Sequence, residues 1–322
     1  MKRSDKIWLI IAVIMIIIGI FGGVTVMSCV NWDYSKLETD KYQSATYEVS
    51  DSFEKIYVEG STEDISFLRS TDGKCRVECL ENKKTPHTVS VENGTLNIKI
   101  NDTRKWYERI SITWFPAEKV TVYLPDGMYS ELKIKLSTGV VSLPNNLGFE
   151  NIEVKVSTGN ISCLSSADKI TMTASTGNIT LENVKTNDIA IATSTGHITL
   201  SSVSCAGDIT LSVSTGKTKL TDVTCNNLSS SGTTGGITLK NVISRKKLSV
   251  ERDTGDVTLE KCDAVELYIK TDTGDVKGSL LSGKTFIVGT DTGKVSVPSS
   301  VAGGTCEIKT DTGDIIINIS GN

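Results

Sequence analysis

Proline and histidine are scarce in this chain, with five and two among 322 residues. Few prolines rule out an extended proline-rich spacer. Two histidines, His87 and His197, leave little material for a catalytic triad or a histidine-rich metal set. Aromatic residues make up 6%, and all four tryptophans (Trp8, Trp32, Trp106 and Trp114) fall within the first 114 residues. Most of the chain therefore lacks the stacking platforms of glycan clefts and single-strand binders. Lysine plus arginine total 34 against 38 acidic residues, a net charge of −4, and no basic tract occurs, so no nucleic-acid partner is expected. The eight cysteines include no C-x₂-C pair, so neither a zinc site nor a disulfide framework is expected. No cofactor motif is found and no catalytic residue is assigned.

Charge is also missing from Ile7 to Met27, IWLIIAVIMIIIGIFGGVTVM, and Lys2, Arg3 and Lys6 stand before it. At about 1.5 Å per helical residue, the run spans a hydrocarbon core of roughly 30 Å. The basic flank predicts an N-terminus inside and a single-pass cell-membrane protein with everything after the helix extracytoplasmic. Two other readings stand beside it: a cleaved signal peptide, and a lipoprotein acylated on Cys29 after VMS. The predicted organisation is a cytoplasmic stub (1–6), a transmembrane helix (7–29), a linker (30–44), a β-rich cap (45–130) and regular repeats (131–322).

Glycine, in contrast, is plentiful, and its placement is regular. Thr-Gly pairs end at Gly139, Gly159, Gly177, Gly196, Gly216, Gly235, Gly255, Gly274, Gly293 and Gly313, in steps of 18 to 20 residues. A steady period of this kind is the mark of a solenoid. Apolar residues recur seven and five positions before each glycine (Ile152 and Val154, Ile189 and Ile191). They recur two and four after it (Ile161, Ile198 and Leu200), and often seven after it (Val184, Val203, Val223, Val242). Alternation at period two predicts strands with one buried face. The phase changes parity across the glycine, so the chain must turn sharply there. Glycine accepts positive φ, and the Asn or Asp that often follows tolerates it. The ten glycines are read as structural corners, with the threonine before each pointing inward. The fold class is all-β: a parallel β-solenoid (β-helix) of about ten 19–20-residue coils, preceded by one transmembrane helix and a β-rich cap. At about 4.8 Å per coil the rod would be roughly 48 Å long, following a right-handed path.

Before the repeats, IYVEGSTEDISF (56–67) keeps the same register with Glu63 in the glycine position, a degenerate first coil. VSVENGTLNIKI (89–100) signals a hairpin at Asn93-Gly94, and ISITWFPAEKVTVYLP (110–125) adds further strands. Together, the opening IYVEGSTEDISF, the VTVYLP strand and the reiterated STGNI/DTGDV corners resemble the bacterial putative-adhesin β-solenoid domain of unknown function, a Gram-positive cell-envelope family. The resemblance covers about 45–320. It implies a surface-exposed solenoid and, from some relatives, a link to envelope stress. It supplies no catalytic residues.

Three features invite chemistry. Two before the glycine, a hydroxyl column (Ser137 through Thr233) gives way to Asp253, Asp272, Asp291 and Asp311. Stacked carboxylates could hold Ca²⁺ or could serve turn chemistry, with Arg252, Lys270 and Lys309 near enough to neutralise them. Cys205 and Cys225 share an offset in adjacent coils, which permits either a disulfide or two stacked thiols. Ile315–Ile319 ends the chain without a cap and would leave an open strand edge for end-to-end association. The functional expectation is a non-enzymatic adhesion or interaction module whose partner is an envelope protein or glycan. The alternatives are a polysaccharide-acting lectin or enzyme, and an envelope-stress accessory or sensor with a membrane partner.

Overall fold

The computed structural model describes residues 3–29, 31–33, 42–82, 84–101, 103, 118–299 and 303–320. Most of the predicted linker, Trp106, Trp114 and the ISITWFP part of the predicted strand run lie outside the described residues. Helix Arg3–Cys29 comes first, and its apolar part, Lys6–Cys29, has a mean hydropathy of 2.9 with none of it buried. Everything after it in the described chain is β-structure.

Each coil contributes one strand before its glycine and one after it. The leading strands stack in parallel into a 13-stranded sheet, and the trailing strands join a 15-stranded one. Registers are regular. Ile152 pairs with Ile170 and Val154 with Met172, while Ile161 pairs with Ile179. Like residues therefore form columns, and the inward columns close on each other as one continuous core from Ile56 to Ile317. The degenerate coil is continuous with the rest: Lys55–Gly60 pairs with Met128–Thr138, and Asp64–Arg69 with Val141–Leu143. Beyond it the chain changes to antiparallel pairing. Tyr42–Val49 pairs with Cys75–Asn82, and His87–Glu92 turns back on Thr95–Ile100 through Asn93 (φ 52°) and Gly94 (φ 71°). These strands cap one end of the core.

The other end departs from sequence order. The last coil, Gly304–Thr312 with Ile315–Ile319, lies between coil 266–280 and coil 284–296. The exposed end is therefore made by Lys284–Thr292 and Val295–Ser296 rather than by the chain terminus. This corrects the expectation that Ile315–Ile319 forms the outer edge. Ile315 and Ile317 are fully buried, and Ile315 and Ile316 are paired on both sides.

Candidate functional site

The Thr-Gly corners position the ten glycines, His197 and the aspartate column. A methyl group placed on Gly159 would lie 1.8 Å from the carbonyl oxygen of Gly139; on Gly177, 1.9 Å from that of Gly159; on Gly196, 2.0 Å from that of Gly177. The corners are thus a column of backbones in direct contact, and φ runs from 123° to 159° along it. Both facts demand glycine. Glu63 begins the column, because its carbonyl oxygen is what a methyl on Gly139 would strike.

Threonine does not point inward as expected. The residue before each glycine is exposed. The chain flips outward two residues earlier, so the inward position is three before the glycine. There Thr193, Thr271 and Thr310 donate from Oγ1 to the corner carbonyls of Gly177, Gly255 and Gly274, each at 3.1 Å. The residue after the glycine makes a second ladder. Asn160 Oδ1 accepts from Asn178 N–H (2.8 Å), Asn178 Oδ1 from His197 N–H (2.9 Å), and His197 Nδ1 from Lys217 N–H (2.9 Å). Asp256, Asp275 and Asp314 repeat the arrangement lower down. His197 is thus a corner acceptor.

The four aspartates of the candidate Ca²⁺ column line the outside of this corner. Asp253, Asp291 and Asp311 are exposed, and Asp272 pairs with Lys270 (3.2 Å). Lys309 pairs with Glu307 instead, and Arg252 is not on the surface at all. It turns inward, 3% exposed. Its guanidinium donates to the carbonyls of Ser230 (3.0 Å) and Glu251 (2.7 Å) and to the hydroxyls of Ser230 (2.8 Å) and Thr218 (3.3 Å). Burial lowers its pKa to about 10. Ser230 and Thr218 are the polar breaks in otherwise apolar columns, and Arg252 explains both.

Cys205 and Cys225 are buried free thiols. Their column continues as Thr186 on one side and Ser244 on the other. Thr186 and Ser244 donate to carbonyls of a further corner, and Cys205 Sγ does so to Asn187 O (3.1 Å). The two thiols fill hydroxyl positions, and no bond joins them. A parity shift that the sequence reading passed over, between four and seven after the glycine, has its own cause. Asn183, Ser202, Asp222, Asn241 and Lys261 all adopt φ of 51–56° there, which resets the facing once more.

Two places carry more than corner chemistry. One is the open end, where Ile287 (54% exposed) and Val295 (45%) sit on the outermost coil, close in sequence to exposed Val265 and Leu281. The other is in the cap. Cys79, Glu81 and His87 are all buried, with ligand atoms within 4.8 Å of one another, and they are the one such group among the described residues. The sequence reading missed it. The available signal was phase: along Cys75, Val77, Cys79 and Glu81, a carboxylate occupies the inward side of a strand.

Comparison with known proteins places this geometry. No curated protein matches the chain. Among solved structures, a putative adhesin from Bacteroides fragilis is 15% identical, with 86% of this chain and 97% of that one covered and a TM-score of 0.44. A putative adhesin from Parabacteroides merdae is 12% identical (75% and 97% covered, TM-score 0.47). A putative lipid binding protein from Parabacteroides distasonis is 16% identical (86% and 97% covered, TM-score 0.45). The family model described as Toastrack DUF4097 matches residues 53–215 and 206–322, nearly the whole β-structure, and the chain belongs to that family.

Proposed function

We propose that the protein is a membrane-anchored, non-enzymatic interaction module that presents its solenoid outside the cell and engages an envelope partner through the coil 284–296. The observation that carries this reading is the state of that coil. Along the coils, the other leading strands from Lys55–Gly60 to Gly304–Thr312 are paired on both sides, and the sheet's other edge is the cap strand His87–Glu92. Among the described residues, Lys284–Thr292 is paired on one side only, so its other edge offers backbone donors and acceptors. Phe286 and Val288, which continue fully buried columns, are only half-buried there, and Ile287 is exposed. An end that leaves both backbone and apolar surface unfinished suits strand addition. Along the shaft, by contrast, outward side chains engage one another, as Glu153 does with Lys133 of the neighbouring coil (2.7 Å) and with Lys155 on its own strand (2.6 Å).

The anchor reading rests on Lys6–Cys29, 24 residues of apolar helix, or about 36 Å at 1.5 Å per residue. Its basic flank favours the N-terminus inside. The test is the full chain in nanodiscs, as wild type and as Ile287→Lys/Val295→Lys. The double variant is expected to fold normally and to lose self-association or capture of envelope components. Equal association and capture by both would overturn the reading.

A further inference from the structure

We propose that Cys79, Glu81 and His87 form a binding site for a divalent transition metal, with zinc the best match, which ties the two sheets together within the cap. The three come from both sides of the core. Cys79 and Glu81 lie on Cys75–Asn82 in the trailing sheet, and His87 starts His87–Glu92 in the leading sheet. Thiolate, carboxylate and imidazole are the three zinc ligand types, and mixed S, N and O donors favour zinc over calcium or magnesium. With metal–ligand bonds of about 2.0–2.3 Å, tetrahedral ligands stand roughly 3.4–3.8 Å apart. The three ligand atoms already lie within 4.8 Å of one another, so small side-chain rotations close the set.

Three observations separate this group from a chance cluster. First, it contains unfinished polar atoms. Among the described residues, two buried side-chain atoms have no hydrogen-bond partner, His87 Nε2 and Glu63 Oε1. Both belong to this nest, since Glu63 interacts electrostatically with His87 and with Cys79. Buried polar atoms without partners are rare in folded proteins and ask for a missing ligand. Second, the positioning shell is built. Glu81 Oε2 accepts from the His87 backbone N–H (2.8 Å), lies 3.0 Å from His87 Nδ1, and faces the Tyr47 hydroxyl (3.3 Å). These contacts hold the Glu81 carboxylate and the His87 ring against each other. Third, the charge is unbalanced. Glu63, Glu81 and Glu118 are 0%, 3% and 6% exposed. Among the described residues their only ion-pair partner is His87, on Glu81. Metal binding would replace the thiol proton, releasing one H⁺ to solvent as the metal–sulfur bond forms.

The site is enclosed, so metal must enter as the cap folds. The test unfolds the full chain in detergent with urea and chelator, then refolds it with Zn²⁺, with Co²⁺, or with chelator present. One metal per chain is expected. The cobalt form should show a thiolate-to-cobalt charge-transfer band and intense tetrahedral d–d bands, and the zinc form should melt higher than the chelated one. Cys79→Ser should abolish the charge-transfer band and weaken binding by about ten-fold or more. Cys163→Ser, a buried cysteine in another coil, should keep both. Because Cys79→Ser could misfold, the wild-type cobalt spectrum decides by itself. A spectrum without thiolate ligation, or no metal retained after refolding, overturns the proposal.

Discussion

Replacing Gly196 by alanine tests the stacked-corner account at one atom. A Cβ on Gly196 would stand 2.0 Å from the Gly177 carbonyl oxygen and 2.6 Å from its carbon. Real Cβ contacts do not fall under 3.0 Å, so the two coils must part by 3.0 − 2.0 = 1.0 Å at the corner. That movement takes the Gly177 N–H···O Thr195 bond (2.8 Å) and the Ile179 N–H···O His197 bond (2.9 Å) beyond hydrogen-bonding range. It also strains Thr193 Oγ1 to Gly177 O (3.1 Å) and His197 N–H to Asn178 Oδ1 (2.9 Å). At about 1 kcal/mol for each bond lost, plus about 1–2 kcal/mol for a side chain at φ 146°, the cost is about 3–5 kcal/mol. Gly196→Val should cost more, since branching at Cβ adds to the same clash. Gly289→Ala is the control: nothing lies within 4 Å of its Cβ, so its effect should stay within about 0.5 kcal/mol. Solenoids need not unfold in one step, so the measurement is urea unfolding followed by hydrogen exchange coil by coil. Protection should fall first in the strands Asp188–Thr195 and Ile179–Glu182. Equal stability of Gly196→Ala and Gly289→Ala would refute the reasoning.

The other expectations concern single interactions. Arg252→Val alone should destabilise by about 2–4 kcal/mol, because it strands the Ser230 and Thr218 hydroxyls; adding Ser230→Val and Thr218→Val should recover most of that, as equilibrium unfolding of the single and triple variants can show. Asn178→Ala should cost about 1 kcal/mol by leaving the His197 amide uncapped, and Asn178→Asp should cost less, which thermal melts can compare. Hydrogen bonds from Lys133 and Lys155 hold Glu153 at about 2, below its ordinary 4.5. Its contribution is therefore present above pH 4.5 and lost as pH falls towards 2; Glu153→Gln should flatten acid unfolding over that window, by under about 1 kcal/mol for so accessible a pair. Burial pushes Cys205 and Cys225 up to about 11 and 12, so both should resist thiol reagents until the protein unfolds, and Cys205→Ser/Cys225→Ser should melt close to wild type; an oxidised pair under non-reducing mass spectrometry would contradict this.

The residues that made the fold legible are those whose spacing has a single geometric meaning. Gly139 to Gly313 mark corners, and Ile170, Met172 and Ile179 mark inward faces, because a period of two fixes the side of a strand. The order of the last coils was not readable for the same reason that the repeat was. TDTGDV, TDTGKV and TDTGDI form nearly identical corners, so each stacks equally well on any other. The pattern states that coils stack, and it does not state which neighbour each one takes. Arg252 looked like a surface charge beside Asp253, although at three before its glycine it shares the inward phase of the positions five and seven before. Once that offset is known, Ser230, Thr218, Gly232 and Arg252 read as one inward polar set. Glu81 and His87 were hidden differently. They lie outside the repeat, where only strand phase marks a residue as buried.

The most direct test of the interaction role is site-specific photo-crosslinking of the full chain in intact cells. A photoreactive residue is placed at Ile287 or Val295 on the end coil, and at exposed Ser212 or Ser229 on the shaft. Discrete adducts from Ile287 and Val295, absent from Ser212 and Ser229, are the predicted result. Adducts from the shaft positions alone, or none from the end coil, would contradict the account.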